Sequence, residues 1–371
     1  MDMRKCGVVT FHSAHNYGSV LQAYAIIKIL QDLGLDAEII DYRHPHTTDM
    51  YEWKLWSSYK SARWNLMDIA VRGILGLGKE RERQFREFIE SKLPKSERFL
   101  NRSDIPDNEY DILICGSDQI WNPTSTGEND PVYFLDFGNT GCRFSYAASS
   151  GSRPFGEGCR ERVQGYLSRF RSIGVREKFM QDYIKKEFGL DSTVNPDPTL
   201  LLPSENWAEI EVGYKRLPSE YLLVYSLWEH KDILRFAQAA AGHLGLPLVH
   251  ISTDLTLRAV FHKGIRYSLS DVSPQQFLWL FHHASFVVTN TFHGNMFSVI
   301  FRKNFVNYTV RGLNDMRMKT LHNAIGLEGR TVASIEEFIG IEKEIDYSEN
   351  ESAISDFQKQ GRAFIKENIL C

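Results

Sequence analysis

One histidine is set where chemistry could be done. His293 lies within Ser285 to Lys303, SFVVTNTFHGNMFSVIFRK. The apolar run Phe286, Val287, Val288 leads through Asn290, Thr291, Phe292, His293 and Gly294 into Met296, Phe297, Ile300 and Phe301. The first run has the make-up of a buried strand. The second has helical spacing and ends in Arg302 and Lys303, which complement a helix C-terminus. The pattern predicts strand, tight turn, helix, with an imidazole at the helix N-terminus. Free N–H groups and the positive dipole end make such a turn an anion site. A capped crossover without a ligand fits the same residues.

Other polar groups follow apolar runs in the same way. Tyr110 to Cys115 (YDILIC) empties into GSDQIWNP, where Asp118 is either an acid/base or hydroxyl-binding group, or the cap of the next turn. Arg176 ends the short run Ser172 to Val175; its guanidinium can clamp a carboxylate or phosphate, or pair with the adjacent Glu177. The loop His12 to Gly18 (HSAHNYG) leaves the first run, CGVVTF, and carries His15, Asn16 and Tyr17. A dinucleotide fingerprint would need three glycines there. Gly18 is the only one, so nicotinamide cofactors are set aside.

These loops need a scaffold that aims them together. Strand-like runs at residues 6–11, 37–42, 110–115, 144–149 and 172–175 alternate with a helix over 17–33 and turn signals. After the proline-broken TVNPDPTLLL (193–202) and a linker, the grammar resumes with strands at 221–227, 247–252, 286–288 and 304–309. The expected architecture is α/β, with two Rossmann-like domains facing across a cleft. Residues 1–202 form the N-terminal, acceptor-side domain and 203–349 the donor-side domain. Residues 350–371 form a helix packing back on the first. Residues 44–108, with Trp53, Trp56, Tyr59 and Trp64, read as a helical insertion.

With 371 residues, 43% hydrophobic, the chain can bury two cores. A net charge of −4 and no long basic run argue against nucleic acid. The five cysteines (Cys6, Cys115, Cys142, Cys159, Cys371) have neither C-x-x-C nor zinc spacing, so separate thiols in a reducing compartment and no metal are expected. No apolar run suits a secretory signal or a membrane span of roughly 18 residues, which predicts a cytoplasmic protein.

NYGSVLQAYAI, ICGSDQIWNP, YFLDF with SYAASSG, VREK, NPDPTLLL and VVTNTFHGNMFSVIF occur in order from about residue 8 to residue 305. Together they resemble the polysaccharide pyruvyl transferase family. The resemblance implies a fold similar to GT-B glycosyltransferases. The implied reaction moves a pyruvyl group from phosphoenolpyruvate onto two hydroxyls of a capsule or exopolysaccharide precursor, as a cyclic ketal, with release of phosphate. Phosphoenolpyruvate is a co-substrate and no cofactor is implied. A lipid-linked acceptor would bring the protein to the inner face of the cytoplasmic membrane. His293 matches the family's motif histidine; the chemistry of ketal formation makes it the expected acid, with Asp118, at the mouth of the first domain, as the expected base. Arg176 matches an arginine that the resemblance implies on the donor side; the turn itself places Thr291, Gly294 and Asn295 there, and the loops place His15, Asn16, Tyr17 and Trp121 on the acceptor side. Characterised relatives carry Arg-Leu-His where this chain has Thr291, Phe292 and His293, and Arg311 and Arg317 are candidates to replace that arginine. A nucleotide-sugar-dependent glycosyltransferase and a non-catalytic ligand-binding module are the competing readings.

Overall fold

Short apolar runs flanked by turn residues form the strands of two separate parallel sheets in a computed structural model of the protein. The structure describes residues 3–43, 78–127, 129–151, 155, 158–227, 231–253, 265–310, 315–341 and 344–371. In chain order the first sheet comprises β1 (Lys5–Val9), α1 (Tyr17–Asp32), β2 (Asp36–Tyr42), α2 (Lys79–Lys92), β3 (Lys95–Phe99), β4 (Ile112–Cys115), α3 (Pro123–Thr126), β5 (Arg143–Ala148), α4 (Arg160–Leu167), β6 (Ser172–Val175), α5 (Lys178–Phe188) and β7 (Thr193–Val194). Its strand order is β3-β2-β1-β4-β5-β6-β7. Two short helices, α6 (Pro198–Leu201) and α7 (Ser204–Ala208), lead to the second sheet.

That sheet comprises β8 (Leu222–Tyr225), α8 (Lys231–Leu244), β9 (Leu248–Ile251), β10 (Tyr267–Leu269), α9 (Pro274–His282), β11 (Phe286–Thr289), α10 (Phe292–Ile300), β12 (Asn304–Tyr308), α11 (Met316–Ile325) and β13 (Thr331–Val332). Its order is β10-β9-β8-β11-β12-β13. After α12 (Ile335–Ile339) comes the long α13 (Glu351–Ile369). Its Gln358 donates to Leu200 O at 2.7 Å, and its Phe364 ring packs against Phe144 and Tyr146 of β5.

Four-residue runs such as Ile112–Cys115, Leu222–Tyr225 and Phe286–Thr289 are buried at every position. Helices on both faces of a parallel sheet leave no solvent side, so these strands read as continuous apolar runs. β3 was hidden for the opposite reason: KSERF is an edge strand with only Phe99 buried, and it shows no apolar alternation. Within the stretch expected as a helical insertion, Lys79–Lys92 is helical, and Lys95–Phe99 adds an edge strand to the first sheet. Trp53, Trp56, Tyr59 and Trp64 lie outside the described residues.

The cysteine expectation is corrected at one pair. Cys142 and Cys371 are joined as a disulfide with Cα atoms 5.7 Å apart, which ties the end of the chain beside β5. Sequence spacing hid this because the two residues are 229 positions apart. Among the described residues no helix is long and apolar enough to cross a membrane.

Candidate active site

In each sheet the strand order reverses at one point, between β1 and β4 in the first and between β8 and β11 in the second. Loops leaving the carboxyl ends of strands at such a point diverge and open a crevice. Here both crevices meet in one cavity of about 700 Å³. The β1–α1 loop brings His15, Asn16 and Ser19 to it, the loop after β4 brings Asp118 and Gln119, and β6 brings Arg176. From the other sheet come Tyr225, Asn290, Thr291, Phe292 and His293.

His293 spans the junction of the two halves. Nε2 is buried without a hydrogen-bond partner, 3.6 Å from Oδ2 of Asp197. The other edge of the ring lies against the first turn of α1, where a Cβ added to Gly18 would stand 2.0 Å from Nδ1. Only a residue without a side chain lets the imidazole approach so closely. Asp197 is fully buried and is the hub of this cluster. Its Oδ2 accepts from Ser117 Oγ at 3.0 Å and from Arg176 Nη1 at 3.1 Å, and its Oδ1 caps α6 through Thr199 N at 3.1 Å. Burial alone would raise the Asp197 carboxyl, but the nearby His293 imidazole, with the Arg176 guanidinium, holds it well below the usual range.

Arg176 reaches the cleft with partners already attached. Nε donates to Glu177 Oε1 at 3.1 Å, Nη1 donates to Asp197, and Nη2 is 4.0 Å from Asp118 Oδ1. The guanidinium also lies 4.3 Å from the centroid of the Phe292 ring. It is therefore not the free fork expected for a donor anion, and the adjacent Glu177 is its local ion pair. Asp118 is placed as a cleft group. Its φ of 70° turns the carboxylate so that Oδ2 accepts from Ser19 Oγ at 2.7 Å, while Oδ1 accepts from Gln119 N at 2.8 Å.

The amides expected to hold an anion are corrected. Gly294 N donates to Thr291 Oγ1 at 2.9 Å and Asn295 N to Thr291 O at 3.1 Å, so both are occupied. Thr291 is the N-cap, and a Cβ on Gly294 would collide with Thr289 Oγ1 at 2.2 Å, which makes that glycine a packing requirement. The first N–H groups of the helix, on Phe292 and His293, precede any intrahelical acceptor, and both residues line the cavity. Asn295 is fully buried: its Nδ2 donates to Asn307 Oδ1 at 3.1 Å and its Oδ1 accepts from His322 Nε2 at 3.0 Å. It braces α10 against β12 and α11 without touching the cleft.

Burial, helped by the Arg330 charge, depresses the His322 imidazole to about 4. The unfolded chain takes up a proton near pH 6.5 that the folded one refuses, so stability is lost as pH falls from about 6.5 toward 4. This contribution is on the order of 3 kcal/mol. Denaturant melts across that window should show the loss, and His322→Gln should reduce it; an unchanged acid limb in the variant would exclude His322 as its source. His15 is likewise lowered to about 4, first by burial, and adds loss of the same sign.

Two acceptor-side expectations are corrected. Tyr17 is fully buried, stacked on Phe277 at 4.4 Å, and donates to Val272 O at 2.8 Å, so it is a strut between the two halves. Trp121 is also fully buried; it stacks on Phe134 at 5.4 Å and donates from Nε1 to Tyr133 O at 3.0 Å. Asn16 lines the cleft but caps α1, accepting from Gly18 N at 2.9 Å. His15 lines it with its ring against Phe85. Arg317 lines it too, held by Asp315 through Nε at 3.0 Å and Nη2 at 2.7 Å. Arg311 lies outside the described residues. Sequence reasoning missed Asp197, Gly18 and Arg81, although an aspartate between two prolines and the lone glycine of the first loop were visible signals. Among the described residues one group could hold a metal ion, Glu211 with His282 and His283, and none of the three lines the cleft.

The sequence model of polysaccharide pyruvyl transferase matches residues 16–311, most of the chain. No curated protein sequence matches it. Among solved structures, UDP-GlcNAc 2-epimerase from Neisseria meningitidis bound to UDP-GlcNAc is similar at a TM-score of 0.56 and 12% identity, covering 99% of this chain and 100% of that one. UDP-N-acetylglucosamine 2-epimerase from Rickettsia bellii gives 0.54 at 10% identity, covering 100% and 96%. A glycosyltransferase from Rickettsia africae ESF-5 gives 0.50 at 11%, covering 100% and 99%. At such identities the likeness shows the fold, two Rossmann-like domains of the GT-B type.

Proposed function

The chain belongs to the polysaccharide pyruvyl transferase family, and from that premise we propose that it transfers a pyruvyl group from phosphoenolpyruvate to a sugar diol of a capsule or exopolysaccharide precursor. The observation that carries the reading is the meeting of His293, backed by Asp197, with Asp118 in one cleft. Ketal formation needs an acid for the methylene carbon of the donor and a base for the attacking hydroxyl. His293, held beside Asp197, gives a proton to the methylene, which becomes a methyl group. At the same moment the first sugar hydroxyl bonds to the neighbouring carbon and its proton passes to Asp118. The second hydroxyl then bonds to that carbon in place of the phosphate and returns a proton to His293. The carbon–oxygen bond to phosphate breaks, and Asp118 protonates the departing phosphate. Both residues end as they began.

The acceptor is a sugar of a polysaccharide precursor, and a lipid-linked form is compatible with a cleft open to the protein surface. The test is acceptor-dependent phosphate release from phosphoenolpyruvate by the purified protein, with a product heavier by one pyruvyl ketal. UDP and UDP-sugars are the control ligands, since similar folds act on UDP-N-acetylglucosamine. Consumption of a UDP-sugar without phosphate release from phosphoenolpyruvate would overturn the reading in favour of glycosyl transfer.

A further inference from the structure

The cleft's cations are not equivalent. Arg176 is held by Glu177 and Asp197, and Arg317 by both oxygens of Asp315. Arg81, in the first turn of α2, lines the same cavity with no carboxylate at ion-pair distance among the described residues. Its residue is 7% exposed, and Nε is buried with no hydrogen-bond partner. Nη2 donates to the carbonyl of His15 at 3.3 Å, and the guanidinium lies 5.2 Å from the Tyr17 ring centroid and 5.5 Å from that of Phe85. The charge of Arg81 also acts on Asp271, but burial dominates there and pushes that carboxyl up, toward its neutral form.

A guanidinium out of water is costly unless an anion pairs with it. Aromatic faces compensate part of that cost and leave the planar donor edge unused. We propose that Arg81 is the anion clamp of the cleft, its guanidinium donating to a carboxylate or phosphate oxygen of a bound substrate. The position has physical sense: Arg176 is paired with acids on three sides, whereas Arg81 has none at ion-pair distance among the described residues. This deepens the pyruvyl-transfer reading, on which it rests only for the identity of the anion.

The experiment titrates wild type, Arg81→Gln and Arg81→Lys with phosphoenolpyruvate, inorganic phosphate and UDP, read by intrinsic tryptophan fluorescence. The KM for acceptor is then measured by phosphate release. A charge-assisted contact predicts a loss of roughly tenfold to a hundredfold in affinity for Arg81→Gln. Arg81→Lys should fall between, because an ammonium lacks the planar fork. Weakened phosphoenolpyruvate and phosphate with an unchanged acceptor KM assign the clamp to the donor. A raised acceptor KM alone assigns it to an anionic group on the acceptor. If UDP binds and phosphoenolpyruvate does not, the pyruvyl reading fails, and the clamp stands only if Arg81→Gln weakens UDP. Binding and KM within twofold of wild type in the variants overturn the clamp, as does a wild type that binds none of the three anions. Should Arg81→Gln fail to fold, Arg81→Lys decides by the same twofold criterion.

Discussion

Replacement of His293 by alanine is expected to lower acceptor-dependent phosphate release by roughly a hundredfold to ten-thousandfold, the range for a positioned proton donor. Affinity for phosphoenolpyruvate should change far less, because the lost interaction belongs to the transition state. The fold should tolerate the change. Asp197 keeps Arg176 and Ser117 as partners, so no buried charge is stranded. The side chain of His293 borders the cleft, so the space it leaves joins that cleft rather than the apolar core. Steady-state kinetics with a thermal melt separates the two effects. A variant retaining more than a tenth of wild-type activity would remove His293 from the mechanism.

Gly18→Ala carries the second large effect, and its two readouts are expected to diverge. Gly18 occupies the first turn of α1 with no positive φ, so helix propensity alone favours alanine by about 1 kcal/mol. Melting temperature should hold or rise slightly. The new Cβ, however, would lie 2.0 Å from Nδ1, 2.5 Å from Cγ and 2.6 Å from Cε1 of His293. The ring must move, and the cavity that His293 lines lets it swing away from Asp197. A misplacement of about an ångström costs on the order of a hundredfold in rate. Loss of activity with stability intact would establish the cross-cleft seat of His293. Full activity in Gly18→Ala would show that the imidazole works from another position.

Much of the scaffold was legible because helix-covered parallel strands write themselves as apolar runs. β4, β8 and β11 could be read from ILIC, LLVY and FVVT, and α1 from its apolar stripe. The turn at His293 was legible as strand, cap and helix for the same reason. β3 was not, because an exposed edge strand carries no periodicity. The cysteine pair was not, because a disulfide over 229 residues depends on how the chain returns.

Residue type and spacing, by themselves, determined that His293, Asp118 and Arg176 end up at loop mouths, since the carboxyl ends of parallel strands place them there. They also determined that Thr291 caps a helix. Tertiary structure alone decided which of these groups is free. Arg176 became an internal ion pair because Asp197, twenty-one residues onward, arrives beneath it. The amides of Gly294 and Asn295 turned inward to Thr291. Tyr17 and Trp121 became packing residues, since a large ring beside an unfilled core is worth more buried than at a rim. Burial and pairing are sums over the whole fold, and a single stretch of sequence does not contain them.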